Sequence, residues 1–111
     1  MKRYCLTVDL KDDAELIAEY EAYHREVWPE IKQSILDSGI TNMEIYRFDN
    51  HLFMIMETND SFTFERKAAM DAANVKVQEW EQLMWKFQQP LKNAKPGEKW
   101  VLMEKIFELN G

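Results

Sequence analysis

A chain of 111 residues that is 46% hydrophobic and 13% aromatic can build one packed domain but not two, so residues 1–111 are read as a single domain, and the 31% of charged residues, of both signs and interleaved, excludes the disordered class. A formal net charge of −6 argues against nucleic acid and anionic membranes as partners, and no apolar run approaches the roughly 18 residues of a membrane span. The lone Cys5 cannot close an intrachain disulfide, and Met1-Lys2-Arg3-Tyr4 does not open a signal-peptide apolar segment, so a cytoplasmic setting is expected.

Tyr4, Leu6, Val8 and Leu10 alternate with Arg3, Cys5, Thr7 and Asp9, the period of a strand. Asp12 and Asp13 offer N-cap oxygens to a helix whose stripe is Leu16, Tyr20, Tyr23, His24 and Val27. Trp28-Pro29 breaks that helix, because the residue before proline avoids the α region. Pro29 suits the first position of a second helix carrying Ile31, Ile35 and Leu36, and Gly39 suits its C-terminal cap. Two strands follow, Ile40–Phe48 and His51–Thr58, joined at Asp49-Asn50, both of which tolerate positive φ. Asn59, Asp60 and Ser61 are cap candidates for a helix through Ala73, and Asn74 restarts a longer one with Val77, Trp80, Met84 and Phe87 as its stripe. Pro90 closes that helix, Lys92–Lys99 with Pro96-Gly97 is a loop, and Trp100–Leu109 alternates as a final strand.

The fold class is therefore α+β. The element order is a ferredoxin-like βαββαβ plan with each crossover helix broken in two, around a four-stranded antiparallel sheet. One sheet face takes the helices. The other keeps apolar residues such as Phe53, Ile55, Met103 and Phe107, which a face-to-face homodimer, a dimeric α/β-barrel, would cover.

His24 and His51 are the only histidines, and no Cys/His or HExxH spacing points to a metal. The three glycines are isolated, so no phosphate-cradling loop exists, and no nucleophile-elbow pattern is present. No metal, nucleotide or redox cofactor is expected. His24, on an apolar stripe just before a forced helix break, reads either as a core or cap histidine or as a general acid/base, for which a pKa of about 6.5 suits neutral pH. His51, after the hairpin turn, is expected at the surface. Trp28 and Trp80 are either core residues or stacking platforms for a sugar ring, whereas Trp85 and Trp100 read as core. Glu81, beside Trp80, is either a solvated helix charge or, facing inward, an acceptor for sugar hydroxyls. The methionines, Met43 among them, read as gap-fillers.

The stretch His24-Arg25-Glu26-Val27-Trp28-Pro29-Glu30 resembles the H-x-x-[IV]-W-P-E segment of the L-rhamnose mutarotase family. Gly39-Ile40-Thr41-Asn42-Met43-Glu44-Ile45-Tyr46 is similar to that family's G-x-x-N-Y-x-I-Y strand, and Leu52-Phe53-Met54 to its L-F-A strand. Val77-Gln78-Glu79-Trp80 and Glu104-Lys105-Ile106-Phe107 resemble its region before the tryptophans and its E-V-F ending. Each match is short; their order along nearly the whole chain makes them specific.

The resemblance implies a dimeric ferredoxin-like α/β-barrel, no cofactor, and a sugar pocket between sheet and helices. The family's catalytic histidine falls on His24 and one of its paired pocket tryptophans on Trp80. The other tryptophan is replaced by Glu81 and the pocket tyrosine by Met43, departures that point to L-fucose ahead of L-rhamnose. The implied activity is anomer interconversion of a 6-deoxyhexose pyranose by acid/base ring opening, with His24 moving the proton and Tyr20 or Tyr46 assisting. Rival readings on the same architecture are a cofactor-free monooxygenase and a ligand-binding module without activity.

Overall fold

A computed structural model describes all residues, 1–111. Strand β1 (Lys2–Leu10) buries Leu6, Val8 and Leu10 on one face, as its alternation requires. Helix α1 (Ala14–Arg25) starts at Asp13, whose carboxylate accepts the Leu16 N–H at 3.0 Å. It ends where Trp28 takes an extended ψ of 135° ahead of Pro29, and α2 (Pro29–Asp37) begins on that proline. Leu36, expected on the α2 stripe, is exposed instead, and Ile31 anchors the helix. Gly39 then turns the chain at φ +100°. A Cβ there would come within 2.9 Å of Asn59 Oδ1, so glycine meets both a conformational and a steric demand.

Strands β2 (Ile40–Phe48) and β3 (His51–Thr58) form the expected hairpin, with Asp49 alone at positive φ, 54°. The expected caps Asn59, Asp60 and Ser61 do not start the next helix. Asn59 donates its N–H to Gly39 O at 2.9 Å and accepts from Ser61 Oγ at 3.1 Å, so these residues build a turn. Phe62 is buried first, and Thr63 caps α3 (Phe64–Ala72) by accepting the Arg66 N–H. Asn74 caps α4 (Val75–Trp85) with bonds from the N–H groups of Lys76 and Val77. Val77, Trp80 and Met84 are buried on one side of α4, as their spacing predicts; Phe87 is buried too, but beyond the helix, which stops at Trp85 rather than running to Pro90 because Gln88 and Gln89 are extended and pair with β1.

The sheet is antiparallel, in the order β2-β3-β1, and its fourth position is shared by two short strands pairing with β1. β4 (Gln88–Gln89) pairs with Asp9 and Leu10, and β5 (Val101–Leu102) with Leu6 and Thr7. The loop between them interrupts what would otherwise be one edge strand. This corrects the expected final strand Trp100–Leu109: its last ladder bond runs from Met103 N–H to Cys5 O at 2.8 Å. Ile106 and Phe107 beyond it are 93% and 75% exposed, because neither sheet face offers them a core. The helices cover one face of this ferredoxin-like sheet. The other carries half-buried Phe53 and Ile55 with exposed Tyr46 and Phe48. No helix is long and apolar enough to cross a membrane.

Candidate active site

A cavity of about 530 Å³ lies between the helix-facing side of the sheet and the helices, within the range of small-molecule sites. Its sheet wall is apolar: Leu6 from β1, Met43 and Ile45 from β2, Met54 and Met56 from β3. The helices carry Tyr20 and His24 from α1 and Trp80 and Glu81 from α4, and Gln88 of β4 and Lys99 complete the lining.

His24 occupies the last turn of α1, where the Trp28-Pro29 break opens the end of the helix. Its Nδ1 lies 2.8 Å from the main-chain oxygen of Tyr20. A carbonyl only accepts, so Nδ1 carries the hydrogen and donates it. The free nitrogen of this cavity-lining ring is therefore Nε2, an acceptor when the imidazole is neutral. Burial lowers the His24 pKa below its ordinary 6.5, against the opposing pull of the Tyr20 carbonyl, so the neutral base dominates at pH 7. The Tyr20 ring packs on the imidazole at 4.2 Å between centroids, and Trp80 meets it edge-on at 5.6 Å.

Tyr20 is 3% exposed, and burial pushes its hydroxyl up to about 12 despite the neighbouring Gln88 carboxamide, so it remains a phenol and a donor. Trp80 is held by Trp28 in a T-shaped contact, centroids 5.1 Å apart at 71°. Trp28 itself does not line the cavity; it buttresses Trp80. Glu81 and Met43 both reach the cavity, from α4 and from β2.

Tyr46 does not line this cavity; it lines a second one, of about 420 Å³, which it shares with Tyr20 and His24. A bulge between Ile40 and Asn42 places Met43 and Ile45 opposite Met56 and Met54, on the helix side. Tyr46 lies opposite Phe53 on the other face, 53% exposed, and donates to Glu44 Oε2 at 3.0 Å. His51 is exposed as expected, with Nδ1 2.8 Å from Asp9 Oδ1, a bond that raises its pKa.

Sequence reasoning missed Gln88, Lys99, Trp100 and the Lys67–Asp71 ion pair (2.6 Å), all of which border the cavity. Lys99 donates from Nζ to the main-chain oxygen of Glu81 at 2.6 Å and lies 4.8 Å above the Trp85 ring. Burial brings its pKa down to about 8, against the opposing Glu81 charge. Its only sequence signal was its place after Pro96-Gly97, which marks a loop without saying where it folds. No three His, Cys, Asp or Glu side chains converge to hold a metal ion. Chemically, the site offers a neutral imidazole base, a phenol, an ammonium, a carboxylate and an indole face around one open cavity.

Residues 3–109 match the family model for L-rhamnose mutarotase. The chain is 46% identical to the L-fucose mutarotase of Xanthomonas campestris pv. campestris, over 99% of this chain and 90% of that protein. It superposes with a TM-score of 0.72 on the crystal structure of an L-rhamnose mutarotase from Formosa agariphila, at 21% identity, covering 98% of this chain and 99% of that one. A dimeric ferredoxin-like protein from an uncultured marine organism has the same fold, with a TM-score of 0.53 at 10% identity, over 96% and 90% of the two chains. The chain belongs to the L-rhamnose mutarotase family.

Proposed function

We propose that this protein interconverts the α and β anomers of a 6-deoxyhexose pyranose, L-fucose ahead of L-rhamnose. The observation that carries the reading is the convergence of His24, its ring anchored through Nδ1, with Trp80, Glu81 and Met43 around one cavity. The 46% identity to an L-fucose mutarotase supports the choice of sugar.

Ring opening requires one proton taken from the anomeric hydroxyl and one delivered to the ring oxygen. Neutral His24 takes the first at Nε2. Lys99 lines the same cavity, and at about 8 its ammonium is a better matched acid than the Tyr20 phenol at about 12, so Lys99 delivers the second. The aldehyde rotates about its C1–C2 bond, and the ring closes on its other face with the roles reversed. The Trp80 indole packs on the C–H face of the sugar, and the Glu81 carboxylate accepts from its hydroxyls. Assistance of this kind gives roughly 10²- to 10⁴-fold on a reaction that already proceeds in water.

We also infer a homodimer in the cytoplasm. A second copy covers the apolar outer face around Phe53 and Ile55 and gives Ile106 and Phe107 a place to pack.

Saturation-transfer NMR between anomers, run across a panel of deoxy sugars, tests the activity. The parent should accelerate L-fucose exchange, and His24→Ala should lose most of that rate while keeping its fold. A His24→Ala protein as fast as the parent would overturn the role given to His24. A parent no faster than buffer on every sugar would overturn the activity.

A further inference from the structure

Helix α3 borders the cavity without burying a single side chain. Its residues Phe64, Lys67 and Asp71 line the cavity, at the spacings of three and four that put them on one helical face. A core-facing stripe is ordinarily apolar, yet Lys67 and Asp71 are charged. Lys67 donates from Nζ to Asp71 Oδ2 at 2.6 Å, and with side chains 26% and 16% exposed this is the least exposed ion pair of the chain. Helix stability does not account for it. The pair runs in the weaker order, base before acid, and Asp71 sits in the last turn of α3, at the negative end of the helix dipole. Withdrawing both charges from water costs more than such a pair returns, so apolar side chains would serve the fold at least as well. Local rules broken in this way beside a cavity mark a place with a ligand to meet.

We propose that Lys67 and Asp71 read the hydroxyls on the far side of the sugar ring, O3 and O4, as a donor and acceptor pair, and that they are specificity-determining residues of the site. The inference rests on the mutarotase reading above and assigns it a further contact. Their mutual bond leaves further N–H donors on Lys67 and the second oxygen of Asp71, so the pair can give and take a hydrogen bond at once. Position supports the assignment. His24 comes from α1 and contacts Trp80, the ion pair comes from α3, and both border the same cavity. A sugar with its anomeric carbon at His24 therefore extends its C3–C4 edge toward α3. The 4-hydroxyls of L-fucose and L-rhamnose point to opposite faces of the ring, so a fixed pair that meets one misses the other.

Anomer exchange of L-fucose and of its 2-deoxy, 3-deoxy and 4-deoxy analogues is measured for the parent and for Lys67→Met combined with Asp71→Leu, which replaces the pair by apolar side chains of similar size. In the parent, loss of the 3- or the 4-hydroxyl should lower kcat/KM by on the order of tenfold to a hundredfold. The double variant should show a loss at least of that size on L-fucose and no further loss on the 3-deoxy and 4-deoxy sugars. The ratio of L-fucose to its 2-deoxy analogue should be the same in both proteins, and the acid limb of the pH profile, set by His24, should stay in place. Should the double variant fail to fold, Asp71→Asn, which keeps the shape and gives up the charge, serves for the same comparison, with the 4-deoxy discrimination reduced severalfold.

Identical 3-deoxy and 4-deoxy ratios in parent and variant would overturn the proposal, whether the rate is kept or falls equally on every sugar. That result would make the ion pair a solvated feature of α3. It would leave the mutarotase reading intact, whereas a parent that exchanges no sugar would remove that reading and this contact together.

Discussion

The Nδ1–H of His24 donates to the main-chain oxygen of Tyr20, one helical turn earlier, at 2.8 Å, and this bond decides which imidazole nitrogen can meet a substrate. It uses the helix backbone itself as the orienting group, a part that a carboxylate plays in many other acid/base sites. The consequence is a fixed tautomer with a free Nε2, held between the Tyr20 and Trp80 rings.

The pH profile of kcat/KM should be bell-shaped. Burial holds the His24 pKa below 6.5, so activity should fall on acidification only below the ordinary histidine range. Lys99, brought down to about 8, should set an alkaline limb near that pH. Lys99→Met should lower the rate and remove the alkaline limb while leaving the acid limb in place. Stability follows the same shift. Between about 8 and 10.5 the unfolded chain holds the Lys99 proton and the folded one does not, so stability should rise with pH across that window. Urea unfolding at several pH values would show the rise in the parent and its loss in Lys99→Met.

Glu81 and Met43, the positions at which the family resemblance implies a tryptophan and a tyrosine, both border the cavity, which makes a specificity exchange testable. L-Fucose and L-rhamnose differ in hydroxyl orientation, and a buried acceptor left unpaired by the wrong sugar costs about 1–3 kcal/mol. Glu81→Trp combined with Met43→Tyr should therefore raise activity on L-rhamnose relative to L-fucose by roughly tenfold. Exchange rates for both sugars, parent against double variant, decide it. An unchanged ratio in a folded protein would place specificity elsewhere.

The outer sheet face yields a prediction of mass. Light scattering at micromolar concentration should give about twice the 13.3 kDa of the chain. Ile106→Glu with Phe107→Glu, at positions 93% and 75% exposed in the single chain, should shift the protein toward monomer. A parent that runs as a clean monomer would refute the barrel assembly.

Asn74 links stability to the site, because it caps the helix that carries Trp80 and Glu81. Its side-chain oxygen accepts from two N–H groups, at 3.0 and 3.3 Å. Asn74→Ala should cost about 1 kcal/mol in denaturant unfolding. Asn74→Asp should keep most of that stability, since a carboxylate also caps and favours a helix N-terminus.

Much of this protein was written in local chemistry. Asp13 and Asn74 start helices because their short side chains satisfy the first free N–H groups, and Trp28-Pro29 ends one because proline's ring forbids its continuation. Those signals act within a few residues, so the element order and the position of His24 at a helix end were legible in the sequence. Tertiary structure decided what depends on register and on distant contacts. In a regular strand Ile40 and Tyr46 would share a face; the bulge at Ile40/Asn42 reverses that parity and turns Tyr46 away from the cavity. Thr63 takes the cap that Asn59 could have filled, because Asn59 is drawn into a turn against Gly39. The alternation of Trp100–Leu109 does not become a strand past Leu102, since an alternating pattern needs a neighbour to pair with and a core to face. Gln88 and Lys99 enter the site from opposite ends of the loop that splits the sheet edge, and only the pairing of β4 and β5 along β1 brings them to one cavity.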